Sequence, residues 1–343
     1  MSFLDKLSDL KVVKDDILVT IYFAKMDGQD VAFKVYFDIP DEESLDKSEM
    51  TEIYKKDRRY AKDIFNKLFF ETALTESLSD HRISHFVRFI DYKRIRINDD
   101  IDKLDFLTPK FKESFKYFKG VRLHFSIMER KKGTKDLAEV LPTLNDKEIK
   151  SVIFQIIYSV YRLNKAGFQH NDLHPGNILV DTSHPDEVEK VEHRGKKYNI
   201  NLLRSNVILF DWDLATSKDL ENPYLEGEMC EGLGICNNVN LKFDMYTILS
   251  SVMFMMDIKI FKDKELNAFI DDVLGDRRGP NYSKLVPKGY TYNFNHRLCK
   301  SVRGKCAPLK PNEPESVMTP DEALQHSYFD SMIDSRVSRE SYI

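Results

Sequence analysis

The sequence predicts an α+β protein in two parts, a strand-rich lobe followed by a mostly helical one. Three observations carry this expectation. Residues 17–24 and 31–37 are β-branched and aromatic runs separated by the turn signal Met26-Asp27-Gly28-Gln29-Asp30. Residues 145–166 place Ile149, Val152, Ile153, Ile156, Ile157, Val160 and Leu163 in a wide stripe of helical period. Beyond about residue 240 the pattern is mostly helical. A length of 343 residues suits two domains or one large two-lobed unit, and 42% hydrophobic residues supply a sizeable core.

Taken in order, the N-terminus lacks a basic region followed by an apolar run, so no secretory signal is expected. Residues 41–59 are dense in charge and read as a solvated loop or exposed helix. Residues 63–78 carry Ile64, Leu68, Ala73, Leu74 and Leu78 at roughly helical spacing. Residues 99–119 form a mixed-charge insertion, and 121–128 read as a strand. Asn145 or Asp146 can cap the next helix, and Gly167 follows its last apolar turn, where a left-handed residue is expected. Two short apolar runs, 178–180 and 207–210, flank a polar stretch at 181–206 that suits a long loop or hairpin; its charge run is most simply a solvated loop.

Charge and cysteine content narrow the classes. A net charge of -4 offers no positive field for direct nucleic-acid binding. The longest apolar stretch, 248–261, is interrupted by Asp257 and Lys259, so no membrane span is expected. Four cysteines (Cys230, Cys236, Cys299 and Cys306) suggest reduced thiols and an intracellular, cytoplasmic protein. With His296 they fit no standard zinc spacing.

Chemistry concentrates in two segments. His170-Asn171-Asp172-Leu173-His174-Pro175-Gly176-Asn177 sits between a helix and a strand, where an acid and an amide five residues apart can point into one cleft. In phosphoryl transfer such an Asp accepts the hydroxyl proton and such an Asn binds a metal. Phe210-Asp211-Trp212-Asp213 places Asp211 just past an apolar strand, well placed to bind Mg²⁺ bridging nucleotide phosphates.

These segments resemble the catalytic loop and metal-binding motif of eukaryotic-type protein kinases, in the family's order. The resemblance extends over about residues 10–332. Val31-Ala32-Phe33-Lys34 resembles the strand whose Lys pairs with the α- and β-phosphates, which implies Lys34. Residues 71–78 resemble helix C, making Glu71 the partner of Lys34, with Glu76 as the alternative; 85–90 then fit the following strand. Residues 126–131 resemble the hinge, so Met128 would be the gatekeeper and the Glu129–Lys131 backbone would meet the adenine edge. Ala32 and Leu179 would sandwich the ring, with Val19 also at the nucleotide. Phe243-Asp244 resembles the start of helix F, whose Asp braces the catalytic loop, and 319–329 match the last helix of the family's second lobe. The implied fold is bilobal, with an antiparallel sheet and helix C in residues 1–128, a helical lobe in 129–335 and a polar tail at 336–343. The implied cofactors are ATP and Mg²⁺, held by Asn177 and Asp211, with Asp172 as base and a protein substrate.

Four departures qualify this. The glycine-rich loop is absent: its place, 12–19, reads VVKDDILV, and Asp15 and Asp16 would set negative charge near phosphates. Trp212 and Asp213 replace the Phe and Gly after the metal-binding Asp. Asn171 replaces the Arg that clamps a phosphorylated activation segment, and His174 replaces a Lys that contacts the transferred phosphate. No Ala-Pro-Glu closes the activation segment. Long loops and metal motifs like Phe210-Asp211-Trp212-Asp213 resemble those of virus-encoded and other outlying kinases; a viral source would place the protein in a host cell or virion. A Ser/Thr-type protein kinase is the leading expectation, since Pro175 follows that pattern. A small-molecule kinase of the aminoglycoside or choline type and a nucleotide-binding pseudokinase remain alternatives.

Overall fold

A computed structural model describes residues 3–16, 18–38, 52–80, 85–96, 104–115, 122–181, 188–201, 206–225, 237–257, 262–275, 300–302, 305–307 and 317–334. The chain divides into two compact units. The first comprises Met1–Arg82 and Val87–Lys132, the second Ile83–Phe86 and Gly133–Ile343. The polar tail expected at 336–343 lies outside the described residues.

The first unit is built on five antiparallel strands: β1 (Leu7–Asp15), β2 (Val19–Met26), β3 (Gln29–Asp38), β4 (Phe89–Arg96) and β5 (Arg122–Glu129). Their order is β1-β2-β3-β5-β4. Asp27 and Gly28, both at positive φ (50° and 84°), make the tight turn between β2 and β3. Helix α1 runs Glu52–Asp80, beginning well ahead of the expected Asp63, so part of the charged 41–59 stretch is its first turns.

Alternation along β3 puts Val31, Phe33, Val35 and Phe37 on one face, packed with Tyr22 and Ala24 of β2 and Leu123, Phe125 and Ile127 of β5. Leu107 and Phe111 join this core, Phe111 from the short helix α2 (Pro109–Phe115). The 99–119 insertion is therefore more than a charged excursion. Burying a phenylalanine contributes about 1.5–3 kcal/mol, and the Tyr22 hydroxyl donates to the Phe106 carbonyl at 2.8 Å. Charge counting hides this because Phe111 stands between Lys110 and Lys112.

On the opposite face, under α1, the Tyr36 hydroxyl meets Thr72 Oγ1 at 3.0 Å and the ring stacks on His124. His124 is 2% exposed. Burial, with Arg94 and Arg122 nearby, pushes its pKa down from 6.5 to about 4. The unfolded ring binds a proton below about 6.5 and the folded ring does not until about 4. Stability is therefore expected to fall as pH drops through that window. Urea midpoints measured across it should show a flatter profile for His124→Gln than for the wild type.

The second unit is organised around helix α4 (Asp146–Lys165), which follows a single-turn helix α3 (Leu137–Val140). Asn145 and Glu148 form a reciprocal capping box at the start of α4, and Gly167 takes φ 83° just past its end, as the sequence predicts. Its apolar stripe is buried along its length, from Ile149 to Leu163. Strand β8 (Ile178–Asp181) pairs with β11 (Asn206–Leu209) on one side and β6 (Thr134–Asp136) on the other. The two-residue strand β7 (Phe168–Gln169) pairs with β12 (Thr216–Ser217).

Residues 188–201 are a hairpin, β9 (Val188–His193) and β10 (Lys196–Asn201), turning at Arg194 and Gly195, both at positive φ. The reading of this charge run as a solvated loop is corrected. Val191, Tyr198 and Ile200 are buried, because the hairpin clamps the last segment of the unit. The Tyr198 hydroxyl donates to the Leu324 carbonyl at 3.1 Å, and Arg194 and His193 both face Asp321. Helix α5 (Phe243–Asp257) and α6 (Lys264–Leu274) complete the helical core. Strands β13 (Lys300–Val302) and β14 (Lys305–Ala307) pair with each other, and β14 contains Cys306. Cys230, Cys236, Cys299 and His296 lie outside the described residues. The expected final helix is one α-helical turn, α7 (Pro320–Ala323), capped by Thr319 and Glu322, followed by a 3-10 stretch at Ser327–Met332. Among the described residues, no helix is long and apolar enough to cross a membrane.

Candidate active site

In the first unit, antiparallel register decides which side chains share a face. Ile21 pairs with Lys34, Phe23 with Ala32, Ala32 with Met128 and Lys34 with Ser126. Val19, two residues before Ile21 on β2, stands on that same face. Four of the residues expected at a nucleotide, Val19, Ala32, Lys34 and Met128, are thus on one face of the sheet. Ile21 and Phe23 share it too, and their place opposite Lys34 and Ala32 is fixed only by the hairpin register. Lys34 Nζ contacts both Glu71 carboxylate oxygens, at 2.5 and 2.7 Å, and the two side chains are 13% and 5% exposed. Glu71 rather than Glu76 is the partner. A desolvated lysine paired on two oxygens is held in one rotamer, which suits a residue that must present a fixed positive charge.

The hinge expectation is narrowed. The Glu129 N–H donates to the Arg88 carbonyl at 2.9 Å and the Arg130 N–H to Asp30 at 3.3 Å. Those two amides are engaged within the unit and are not donors to a base. The Lys131 ammonium sits 2.6 Å from Glu129, and the Arg130 guanidinium stacks over Phe23 at 3.9 Å.

In the second unit, the β8–β11 ladder positions the polar residues. Leu209 pairs with Ile178, and the next N–H, that of Phe210, donates to the Asn177 carbonyl at 3.2 Å. Asn177 and Asp211 are thereby placed at the same end of the ladder. Leu179, half-buried in β8, pairs with Ile208 and Asp136. Pro175–Asn177 form a 3-10 turn started by His174, whose Nδ1 accepts from the Gly176 N–H at 3.0 Å. A β-carbon on Gly176 would come 3.0 Å from the His174 ring, so the close turn favours glycine. The Asn177 amide nitrogen donates to the Asp172 carbonyl at 2.9 Å and reaches its carboxylate at 3.5 Å. That orientation leaves the amide oxygen as the group able to bind a metal. His174 Nε2 lies 3.9 Å from Asp172 Oδ2. Burial lowers the His174 pKa and the Asp172 carboxylate opposes that shift.

Asp244, at the start of α5, is 1% exposed and accepts the N–H groups of His170 and Asn171 at 2.7 and 2.8 Å. Burial raises its pKa, and these two donors pull it back. Asn171 and Asp211 both sit at positive φ, 65° and 68°. Asparagine and aspartate tolerate this region better than most residues. His170 is fully buried: Nδ1 accepts from the Asp172 N–H, Nε2 donates to the Phe210 carbonyl at 2.9 Å, and the ring packs on Trp212. It ties the loop to the Asp211 segment and is a structural residue, as is the buried Trp212.

The chain is similar to a probable serine/threonine-protein kinase of Dictyostelium discoideum, 22% identical over 210 residues, covering 57% of this chain. The chain spans about a third (34%) of that relative's length. By that similarity the chain resembles protein kinases. No family model matches it. Among solved structures, a chain of WaaP in complex with acyl carrier protein aligns with TM-score 0.38 at 12% identity, over 82% of this chain and 83% of that one.

The residues expected at the glycine-rich loop form a tight turn, closed by the Asp16 N–H donating to the Val19 carbonyl at 3.0 Å. The expected acidic repulsion is tempered there. The Asp15 carboxylate accepts from Thr20 at 3.3 Å and Thr108 at 2.7 Å, while Lys110 Nζ binds the Asp15 carbonyl and lies 4.0 Å from Asp16. Thr108 and Lys110 come from the insertion, far along the chain, so no local pattern reveals them.

A divalent metal fits the donor set on the second unit. Asn177 and Asp211 offer an amide and a carboxylate oxygen, the hard ligands that Mg²⁺ accepts alongside phosphate and water. Among the described residues no cluster of three His, Cys, Asp or Glu side chains could hold a metal.

Proposed function

We propose that this chain is an ATP-dependent phosphotransferase acting on a protein hydroxyl, of the Ser/Thr type. The observation that carries the reading is the Asp172–Asn177 pair on a loop whose backbone is gripped by the buried Asp244. The Lys34–Glu71 pair supports it from the first unit. The protein acceptor is supported by similarity to the probable serine/threonine-protein kinase.

Asp172 would orient the acceptor hydroxyl and take its proton as the hydroxyl oxygen bonds to the γ-phosphorus. The bond from the γ-phosphorus to the β,γ-bridging oxygen breaks, and ADP leaves. Lys34, braced by Glu71, would neutralise charge on the α- and β-phosphates. Asn177 and Asp211 would hold Mg²⁺, which supplies charge neutralisation between the phosphates. Val19, Ala32 and Met128 of the first unit would meet the adenine, as would Leu179 of the second, with the main-chain carbonyls of Glu129–Lys131 as the groups for its edge. His174 would stand where a lysine ordinarily meets the transferred group.

A Mg²⁺-dependent thermal shift with ATP tests binding, and transfer from labelled ATP to generic protein substrates, beside aminoglycosides and choline, tests the acceptor. Asp211→Ala is expected to weaken Mg²⁺-dependent ATP binding by about tenfold or more, measured by calorimetry. Unchanged binding contradicts the metal role. Phosphorylation of the small molecules alone moves the protein out of the protein-kinase class.

A further inference from the structure

Between Asp211 and Asp244 the chain carries three hydroxyl side chains, Thr216, Ser217 and Tyr224. The first two are buried in β12 against β7, and only Tyr224 is exposed. Position 171, where an arginine would receive a phosphate, is an asparagine with both ends of its amide in use. Its nitrogen donates to the Leu214 carbonyl at 2.9 Å and its oxygen accepts from Gln169. Gln169 in turn accepts from the Asn240 N–H.

A second pair of amides continues the pattern. Asn222, fully buried, donates to the carbonyls of Asp213 at 3.1 Å and Ala215 at 2.8 Å, and its oxygen accepts the Tyr224 N–H. Asn237 accepts the Asn222 N–H at 2.8 Å and donates to the Asn222 carbonyl at 3.1 Å. Three consecutive main-chain carbonyls, those of Asp213, Leu214 and Ala215, are each held by a neutral side-chain amide. Burying such carbonyls without donors costs about 1–3 kcal/mol each, so the amides account for the order of the segment with no phosphate.

We propose that Gln169, Asn171, Asn222 and Asn237 are positioning residues that hold the segment following Asp211 in its ordered form without phosphorylation. Neutral amide-to-backbone bonds replace an arginine–phosphate clamp. The proposal rests on the phosphotransferase reading for its consequence, and on the hydrogen bonds alone for the order.

The test uses full-length protein treated with a general phosphatase and checked by mass for zero phosphate. Hydrogen exchange of the amides of 213–225 is expected to be slow in this form, and Asn222→Ala to speed it about tenfold or more. Asn237→Ala, at a less buried position, gives a second, milder variant should the first fail to fold. In steady state Asn222→Ala should lower kcat with KM for ATP nearly unchanged, which general loss of folded protein would not mimic once active sites are counted. Tyr224→Phe should retain wild-type kcat. Fast exchange across 213–225 in the dephosphorylated wild type overturns the clamp, whatever the activity. Slow exchange with a kcat that appears only on phosphorylation of Tyr224 also overturns it. Slow exchange with no transfer under any condition supports the clamp and removes the phosphotransferase reading instead.

Discussion

Asp172→Asn is expected to cut phosphoryl transfer by about 10²–10⁴-fold, the range for loss of a positioned base, with ATP affinity within about twofold. The substitution is nearly isosteric. Asn177 makes its 2.9 Å bond to the main-chain carbonyl of residue 172, which the change does not touch. The loop should therefore keep its shape, and so should the Asn177 oxygen proposed to bind the metal. What is lost is an atom that can accept the hydroxyl proton. Single-turnover transfer beside calorimetric ATP titration separates the two quantities. A fully active variant rules out Asp172 as base, and a variant that no longer binds ATP shows that the residue serves the fold instead.

Asp244→Ala should be the most damaging single change to stability, by about 2–5 kcal/mol. The carboxylate is 1% exposed and satisfies the N–H groups of His170 and Asn171. Deleting it leaves two buried donors unpaired, each worth about 1–3 kcal/mol. Asn171, which Asp244 grips, stands at positive φ, so the loop has little freedom to turn those donors elsewhere. Asp244→Asn should cost less, since its amide oxygen can still accept one bond. Urea midpoints for the three proteins give the ranking. A midpoint for Asp244→Ala equal to that of the wild type would mean that the brace carries no weight.

The legible parts of this protein are those written in local spacing. The α4 stripe, the Asn145 cap and Gly167 follow from helical period and cap chemistry. The β2–β3 turn follows from Asp27-Gly28. Asp172 and Asn177, five apart on one short loop, lie side by side as their spacing suggests. What sequence reading misses is long-range pairing. Phe111 looks like one aromatic among lysines, yet it seals the sheet because of where α2 lies. Residues 85–90 read as one strand. The structure parts them: Phe89 starts β4, while Phe86 bridges to Leu209 and the His85 carbonyl accepts the Leu209 N–H at 2.8 Å. At 188–201 the hairpin itself is allowed by the sequence, but its burial is hidden, because Val191 stands between Lys190 and Glu192 and Tyr198 and Ile200 flank Asn199.

The placement of His85 and Phe86 means that the second unit is not a contiguous piece of chain. His85 Nδ1 reaches the Val207 carbonyl at 3.0 Å, and Phe86 packs against Trp212 with ring centres 5.2 Å apart. A fragment cut to begin at Gly133 would lack both groups and leave the outer edge of β11 and one side of the buried indole bare. The genetic boundary between the units and the physical one do not coincide, so neither half can be excised as a simple stretch without taking a part of its neighbour's interior with it.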